Sequence, residues 1–236
     1  IQAKEIADEI AESGKPVDYI VIQDECGTCK TVAKGVEIAG KMSRELAKQN
    51  KTEFDISEII LGLECGGSDP TSGLASNPTI GVASDMLVND GGSSILSETT
   101  ECIGAEHLLA ERFADITERE KFLSMVKRVE DRSYAAGHDL REGQPTPGNK
   151  AGGLTTIEEK SLGCMHKAGK STFLRALEYA EEVPHDKKGL YFMDTPGQDI
   201  DSITGMVAGG AQIIVFSTGR GTPTGSPIAP VIKITG

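Results

Sequence analysis

The chain has 236 residues, 38% of them apolar, enough to bury one large α/β core or two small ones, and a single domain over residues 1–236 is the simpler expectation. A net charge of −12, a pI near 4.8 and the lack of any Lys/Arg cluster argue against nucleic acid and anionic membrane surfaces as partners. No apolar run approaches the roughly 18 residues of a membrane span, the N-terminus has no signal-peptide core, and the five unevenly spread cysteines form no secreted disulfide framework, so a reduced, cytoplasmic protein is expected.

In chain order, residues 2–13 read as helix and Tyr19–Gln23 as a strand. Cys26-Gly-Thr-Cys29 then opens a helix over residues 28–50, where a thioredoxin-type dithiol would sit. A chain of this length without a further redox partner favours a helix start that carries two cysteines, and no second Cys pair or His pair completes a zinc site. Glu58–Leu63 is a buried strand running into Cys65-Gly-Gly-Ser-Asp69, which brings a thiol, a hydroxyl and a carboxylate to a strand end where α/β proteins bind ligands. A helix at 77–89 and a strand at Ser93–Ser97 follow, and then Glu98-Thr-Thr-Glu101 with His107 beyond it, either a solvated cap or part of a metal cluster with Cys65.

Helices are expected at 104–114, 117–136, 155–168 and 199–208, strands at Gly189–Met193, Gln212–Ser217 and Val231–Ile234, and a long Gly/Pro-rich loop at 142–153. Gly169-Lys170-Ser171 with Asp194-Thr-Pro-Gly197 imitates a nucleotide-binding pair. The spacing from Gly163 is wrong, and helix rather than strand precedes it. His166 and His185 have surface settings, and His138 flanks the long loop. Alternation of apolar runs with helical segments gives the fold class: α/β, a Rossmann-like, mainly parallel sheet with helices on both faces.

Four stretches in this order, Cys65-Gly-Gly-Ser-Asp69 with Asn77-Pro78, Ser97-Glu-Thr-Thr-Glu101, Thr146-Pro-Gly-Asn-Lys-Ala-Gly-Gly153, and Phe216-Ser-Thr-Gly-Arg-Gly-Thr-Pro223 ahead of Pro230-Val-Ile-Lys233, resemble the C-terminal part of the altronate/galactarate dehydratase family, which includes the large subunit of sulfolactate sulfo-lyase. The resemblance implies a hydro-lyase that dehydrates a sugar acid with the help of iron(II), manganese(II) being the alternative. It also implies a fragment of a longer chain, lacking an N-terminal β-rich domain or small subunit; such a fragment could expose an interface, and a homodimer is one candidate assembly. The missing initiator Met and the strand-like end agree with a fragment. Cys26-Gly-Thr28 and Asp194-Thr-Pro-Gly197 depart from the family pattern and leave the substrate open between an aldonate, an aldarate and sulfolactate.

Removing the proton α to a carboxylate puts further negative charge on that group, so a cation is needed there. Cys65, Asp69 and Glu98 are the expected ligands, with Glu101, His107 and Lys150 as candidates for proton transfer. Arg220 offers a permanent bidentate fork for a carboxylate, and Ser68, Thr146, Asn149, Thr218 and Thr222 complete the expected substrate contacts. Each loop could equally be ordinary turn chemistry, and Cys65 a small packed residue.

Overall fold

The structure, a computed structural model, describes residues 2–236. They form two compact units, a smaller one ending at Glu53 and a larger one, Phe54–Gly236. The smaller unit holds helices α1 (Ala3–Ala11) and α2 (Thr28–Leu46). Among its described residues there is no strand: the apolar stretch Tyr19–Gln23, expected to be one, is irregular and largely exposed. Four apolar side chains in a row satisfy a strand pattern locally, but a strand needs a neighbour to satisfy its backbone, and here none is paired. Cys26 and Cys29 are both free and exposed.

The larger unit is the α/β layer. Its elements run β1 (Ile60–Cys65), α3 (Asn77–Asn89), β2 (Ser93–Leu96), α4 (Glu106–Ala110), α5 (Ile116–Ala135), α6 (Leu140–Gly143), α7 (Pro147–Ala151), α8 (Ile157–Met165), β3 (Phe173–Leu177), β4 (Leu190–Met193), α9 (Asp199–Ala208), β5 (Ile213–Ser217) and β6 (Val231–Ile234). The sheet order is β3-β4-β2-β1-β5-β6, and every pairing is parallel. The stretch 142–153, expected as loop, is shaped by the short helices α6 and α7. Asp139 caps the first by accepting from Arg141 and Glu142 N–H, and Thr146 caps the second by accepting from Asn149 N–H.

Strand alternation splits β1 between two cores. Leu61 and Leu63 join Leu96, Phe192 and Val215 against Ile80 of α3, Leu109 of α4, Phe122 and Met125 of α5 and Ile157 of α8. Ile60, with Ile95, Tyr191, Ile214 and Phe216, packs on Ile203 and Met206 of α9. On the first face Phe122 stacks on Phe113 at 5.3 Å and meets Phe192 edge-on at 4.7 Å between centroids. No helix of the described residues is long and apolar enough to cross a membrane.

Because all strands are parallel, all their C-terminal ends lie on one edge. The chain steps from β1 to β2 on one side and later returns to β5 on the other, so the loops after β1, β2, β4 and β5 converge there, as ligand-binding loops do in open α/β sheets.

Candidate active site

A cavity of about 480 Å³ opens at this edge. The loop after β1 supplies Cys65 to Ser68, the loop after β2 supplies Thr100 and Glu101, the loop after β4 supplies Pro196 to Asp199, and Arg220 comes from the loop after β5. Gln144, Thr146 and Asn149 close one side, and Lys160 of α8 reaches in from another.

Two buried ion pairs stand side by side. Glu98 and Glu101 lie one helical turn apart, and Lys167 and Lys160, seven residues apart, meet them. Glu98 Oε2 accepts from Lys167 Nζ at 2.5 Å and from Cys65 N–H at 3.0 Å, with both side chains of the ion pair sealed from solvent. Glu101 Oε1 lies 2.9 Å from Lys160 Nζ, and this pair borders the cavity, each side chain about a tenth exposed. Glu98 adopts φ +67°, left-handed backbone that a non-glycine residue holds only when its surroundings compel it. Its N–H donates to Thr195 Oγ1 at 2.7 Å, which ties the turn to the loop after β4.

Beneath the cavity floor the Cys65 and Cys164 sulfurs are 3.4 Å apart, and with a Glu98 carboxylate oxygen they form a group whose ligand atoms all lie within 4.8 Å of one another. Hydrogen bonding to Cys164, then burial, push the Cys65 thiol well above its ordinary range. Burial opposes the Lys167 ammonium, yet the surrounding Cys164, Cys65, Glu98 and Glu64 hold it well above an ordinary lysine. Burial raises Glu101, with Lys160 pulling the other way. Glu101 Oε2 is buried with no hydrogen-bond partner.

On the other face of β1, Glu64 is fully buried, its Oε2 accepting from Ser202 Oγ at 2.6 Å and Ser97 Oγ at 3.2 Å. Its Oε1 has no partner, and burial followed by the nearby Glu98 raise it well above the usual carboxylate range.

Of the residues singled out in the sequence, Cys65, Ser68, Glu101, Thr146, Asn149 and Arg220 line the cavity, and Glu98 sits directly behind it. Asn149 Nδ2 donates to Ser68 O at 3.0 Å and its Oδ1 accepts from Thr146 Oγ1 at 2.7 Å, so these three act as one wall. Arg220 donates to Gly148 O at 2.6 Å. Asp69, expected to join Cys65 and Glu98, does not. Its Oδ1 accepts from Thr71 Oγ1 at 2.7 Å and Ser72 N–H at 3.1 Å, and its carboxylate covers Gly219, where a Cβ would lie 2.1 Å from Asp69 Cγ. Burial pushes Asp69 up, but those hydrogen bonds win and hold it below the usual range. It is a loop organiser.

His107 and Lys150 are exposed and lie outside the cavity lining, because each falls on the outer side of its short helix. Thr218 is buried and turned to its own loop, accepting from Gly221 N–H at 3.0 Å, and Thr222 donates to Thr224 Oγ1 at 3.0 Å. The Gly169-Lys170-Ser171 turn that imitates a phosphate loop is filled from within: Asp85 accepts from the N–H groups of Lys170 at 2.8 Å and Ser171 at 2.9 Å. His138, His166 and His185 are exposed.

Sequence reasoning missed Lys160, Cys164 and Lys167. They repeat at i, i+4 and i+7 along α8 and the turn after it, a single face at helical spacing. Two lysines and a cysteine on the same buried face as Ile157, Ser161 and Ala168 were the available signal.

An all-parallel α/β sheet with a polar, charge-paired cavity at its C-terminal edge is the architecture of a small-molecule enzyme site. Residues 56–236 match the model of the D-galactarate/altronate dehydratase C-terminal family, and the chain belongs to that family. It is 43% identical over 197 residues to an altronate dehydratase of Bacillus subtilis, covering 82% of this chain and 38% of that protein. It is 38% identical over 232 residues to the (2R)-sulfolactate sulfo-lyase subunit beta of Chromohalobacter salexigens, 97% of this chain and 59% of that one. A galactarate dehydratase (L-threo-forming) of Escherichia coli is 37% identical over 217 residues, 91% of this chain and 41% of that protein. The chain thus spans between 38% and 59% of the lengths of these relatives.

Proposed function

We propose that the whole protein carrying this chain is a hydro-lyase that dehydrates a sugar acid, altronate or a galactarate-like aldarate, to a 2-keto-3-deoxy acid. The observation that carries this reading is the cavity itself, bordered by the largely buried Glu101 carboxylate and by two cations, Lys160 and Arg220, within the unit that matches the dehydratase family. Arg220, tethered through Gly148 O, presents the rest of its guanidinium to a substrate carboxylate, and Ser68, Thr146 and Asn149 offer hydroxyl and amide groups for sugar hydroxyls.

The residues present fit a divalent cation. Two thiols, which are soft donors, lie with one carboxylate oxygen within 4.8 Å of one another, and the sulfurs favour iron(II) over manganese(II) or magnesium. Cys65, Cys164 and Glu98 would hold the ion, and when bound it supplies positive charge for the carboxylate of the substrate as the α-proton leaves. Lys167 pairs with Glu98 within a sealed pocket, and the Cys65 N–H fixes the carboxylate's orientation. Further chain or a separate subunit completes the active enzyme. The Chromohalobacter relative, which is named as one subunit of its enzyme, supports this.

A second reading, C–S cleavage of sulfolactate, is favoured by the longest aligned span, 232 residues with the sulfo-lyase subunit. The two differ only in the leaving group. The test is the full-length protein, prepared anaerobically with iron(II) and offered altronate, galactarate and sulfolactate. Formation of a 2-keto-3-deoxy acid from either sugar acid is expected; sulfite release alone selects the second reading, and no product from any of the three refutes both.

A further inference from the structure

The two ion pairs beside the cavity are built alike and sit differently. Glu98–Lys167 is sealed, with both of its donors on Oε2. Glu101–Lys160 faces the cavity, and its partners are incomplete. Glu101 Oε1 meets Lys160 at 2.9 Å where both side chains line the cavity, and Oε2 is buried without a partner. Lys160 Nζ donates to Glu101 and, at 3.1 Å, to Gln144 Oε1. An ammonium has three N–H groups, so one remains for the cavity.

We propose that Glu101 and Lys160 are the base and the acid of the elimination, an assignment that rests on the hydro-lyase reading. The Glu101 carboxylate takes the proton from C2 of the sugar acid, and the C–H electron pair moves first into the C1 carboxylate as an enediolate, then forms the C2=C3 double bond of the enol as the C3–O bond breaks. Lys160 gives one ammonium proton to the departing hydroxyl, which leaves as water. Glu101 is then a neutral acid and Lys160 a neutral amine 2.9 Å from its carboxyl, and that contact returns the proton to the amine. The pair is restored with no outside acid or base. The released enol becomes the 2-keto acid by moving its hydroxyl proton to C3.

Neither His107 nor Lys150 can replace Lys160, since both lie outside the cavity lining. Lys167 cannot reach it, being fully enclosed with its ammonium on Glu98. Burial strengthens Glu101 as a base, in keeping with the geometry.

The test separates the two proton transfers in the full-length, iron-loaded protein, using altronate, or galactarate if that is the acid turned over. Lys160→Arg keeps a cation on Glu101 but holds a proton it does not release. It is expected to melt like the wild type, to exchange the C2 proton of unreacted substrate for deuterium in D2O, and to form product at least about 100-fold more slowly. Glu101→Gln is expected to lose both exchange and product. Product formation by Lys160→Arg within tenfold of wild type, or absence of C2 exchange in that variant, overturns the assignment. A wild type that turns over neither sugar acid refutes the hydro-lyase reading and the assignment with it; turnover with an unimpaired Lys160→Arg refutes the assignment alone.

Discussion

Glu64, Glu98 and Glu101 are all buried around the end of β1 and β2, and buried lysines touch only the latter two. Glu64 is left with two hydroxyl donors on one oxygen and none on the other. Burial first, and the charge of Glu98 second, raise it well above the ordinary 4.5, so the folded protein favours its protonated form. The sign follows from linkage: folding gains nothing from this preference when the unfolded chain is also protonated and loses stability as pH rises from the unfolded value through the raised folded one. Glu64→Gln keeps an oxygen for Ser202 and Ser97 and removes the ionisation. On metal-free protein its stability advantage over wild type should grow from near zero at about pH 4.5 towards neutral pH, by about 1.4 kcal/mol for each tenfold weakening of the acid. Urea titrations across that range would measure it, and an advantage that does not change with pH would disprove the buried-acid account.

At the scale of elements, the placement of Lys160, Cys164 and Lys167 depends on how closely α8 and the turn after it approach α3. Gly81 of α3 leaves no room for a side chain: a Cβ there would lie 2.2 Å from His166 O, in the turn that carries Lys167. Alanine in a helix gains roughly 1 kcal/mol over glycine, but a clash with backbone cannot be relieved by a rotamer. Gly81→Ala should therefore be destabilising by about 1–3 kcal/mol net, while Gly225→Ala, with open space around it, should be near neutral. Denaturant midpoints for the two variants decide this.

The same packing explains what the sequence could and could not reveal. β1, β2, β4, β5 and β6 were legible because they are short apolar runs buried in the sheet or closing it. β3 was hidden. Phe173-Leu-Arg-Ala-Leu177 is an edge strand whose Arg175 is held outward by Glu118 and Glu181, so a charge interrupts the run. Tyr19–Gln23 carried the better local pattern and forms no strand, since pairing is not a local property. Site residues in loops after strands were readable from topology, whereas Lys160, Cys164 and Lys167 sit on a helix and show their role only when α8 is laid against Cys65 and Glu98.

For the molecule as a whole, the thiol and carboxylate group ties three distant parts of the larger unit together: Cys65 at the end of β1, Glu98 after β2 and Cys164 in α8. An ion held there would cross-link the sheet edge to the helix that supplies Lys160. Because the unfolded chain offers no such arrangement, binding would add to stability, by about 2.7 kcal/mol at a free metal concentration 100 times Kd. Iron(II) added anaerobically to chelator-treated full-length protein should therefore raise its melting temperature. Cys164→Ser removes one of two soft donors and should abolish most of the rise, while Asp69→Asn, whose carboxylate serves the Thr71–Ser72 turn, should keep it even if the fold is somewhat less stable. The reverse pattern, with Asp69→Asn losing the response and Cys164→Ser retaining it, would move the metal from behind the cavity floor to the Arg220 loop that Asp69 underlies.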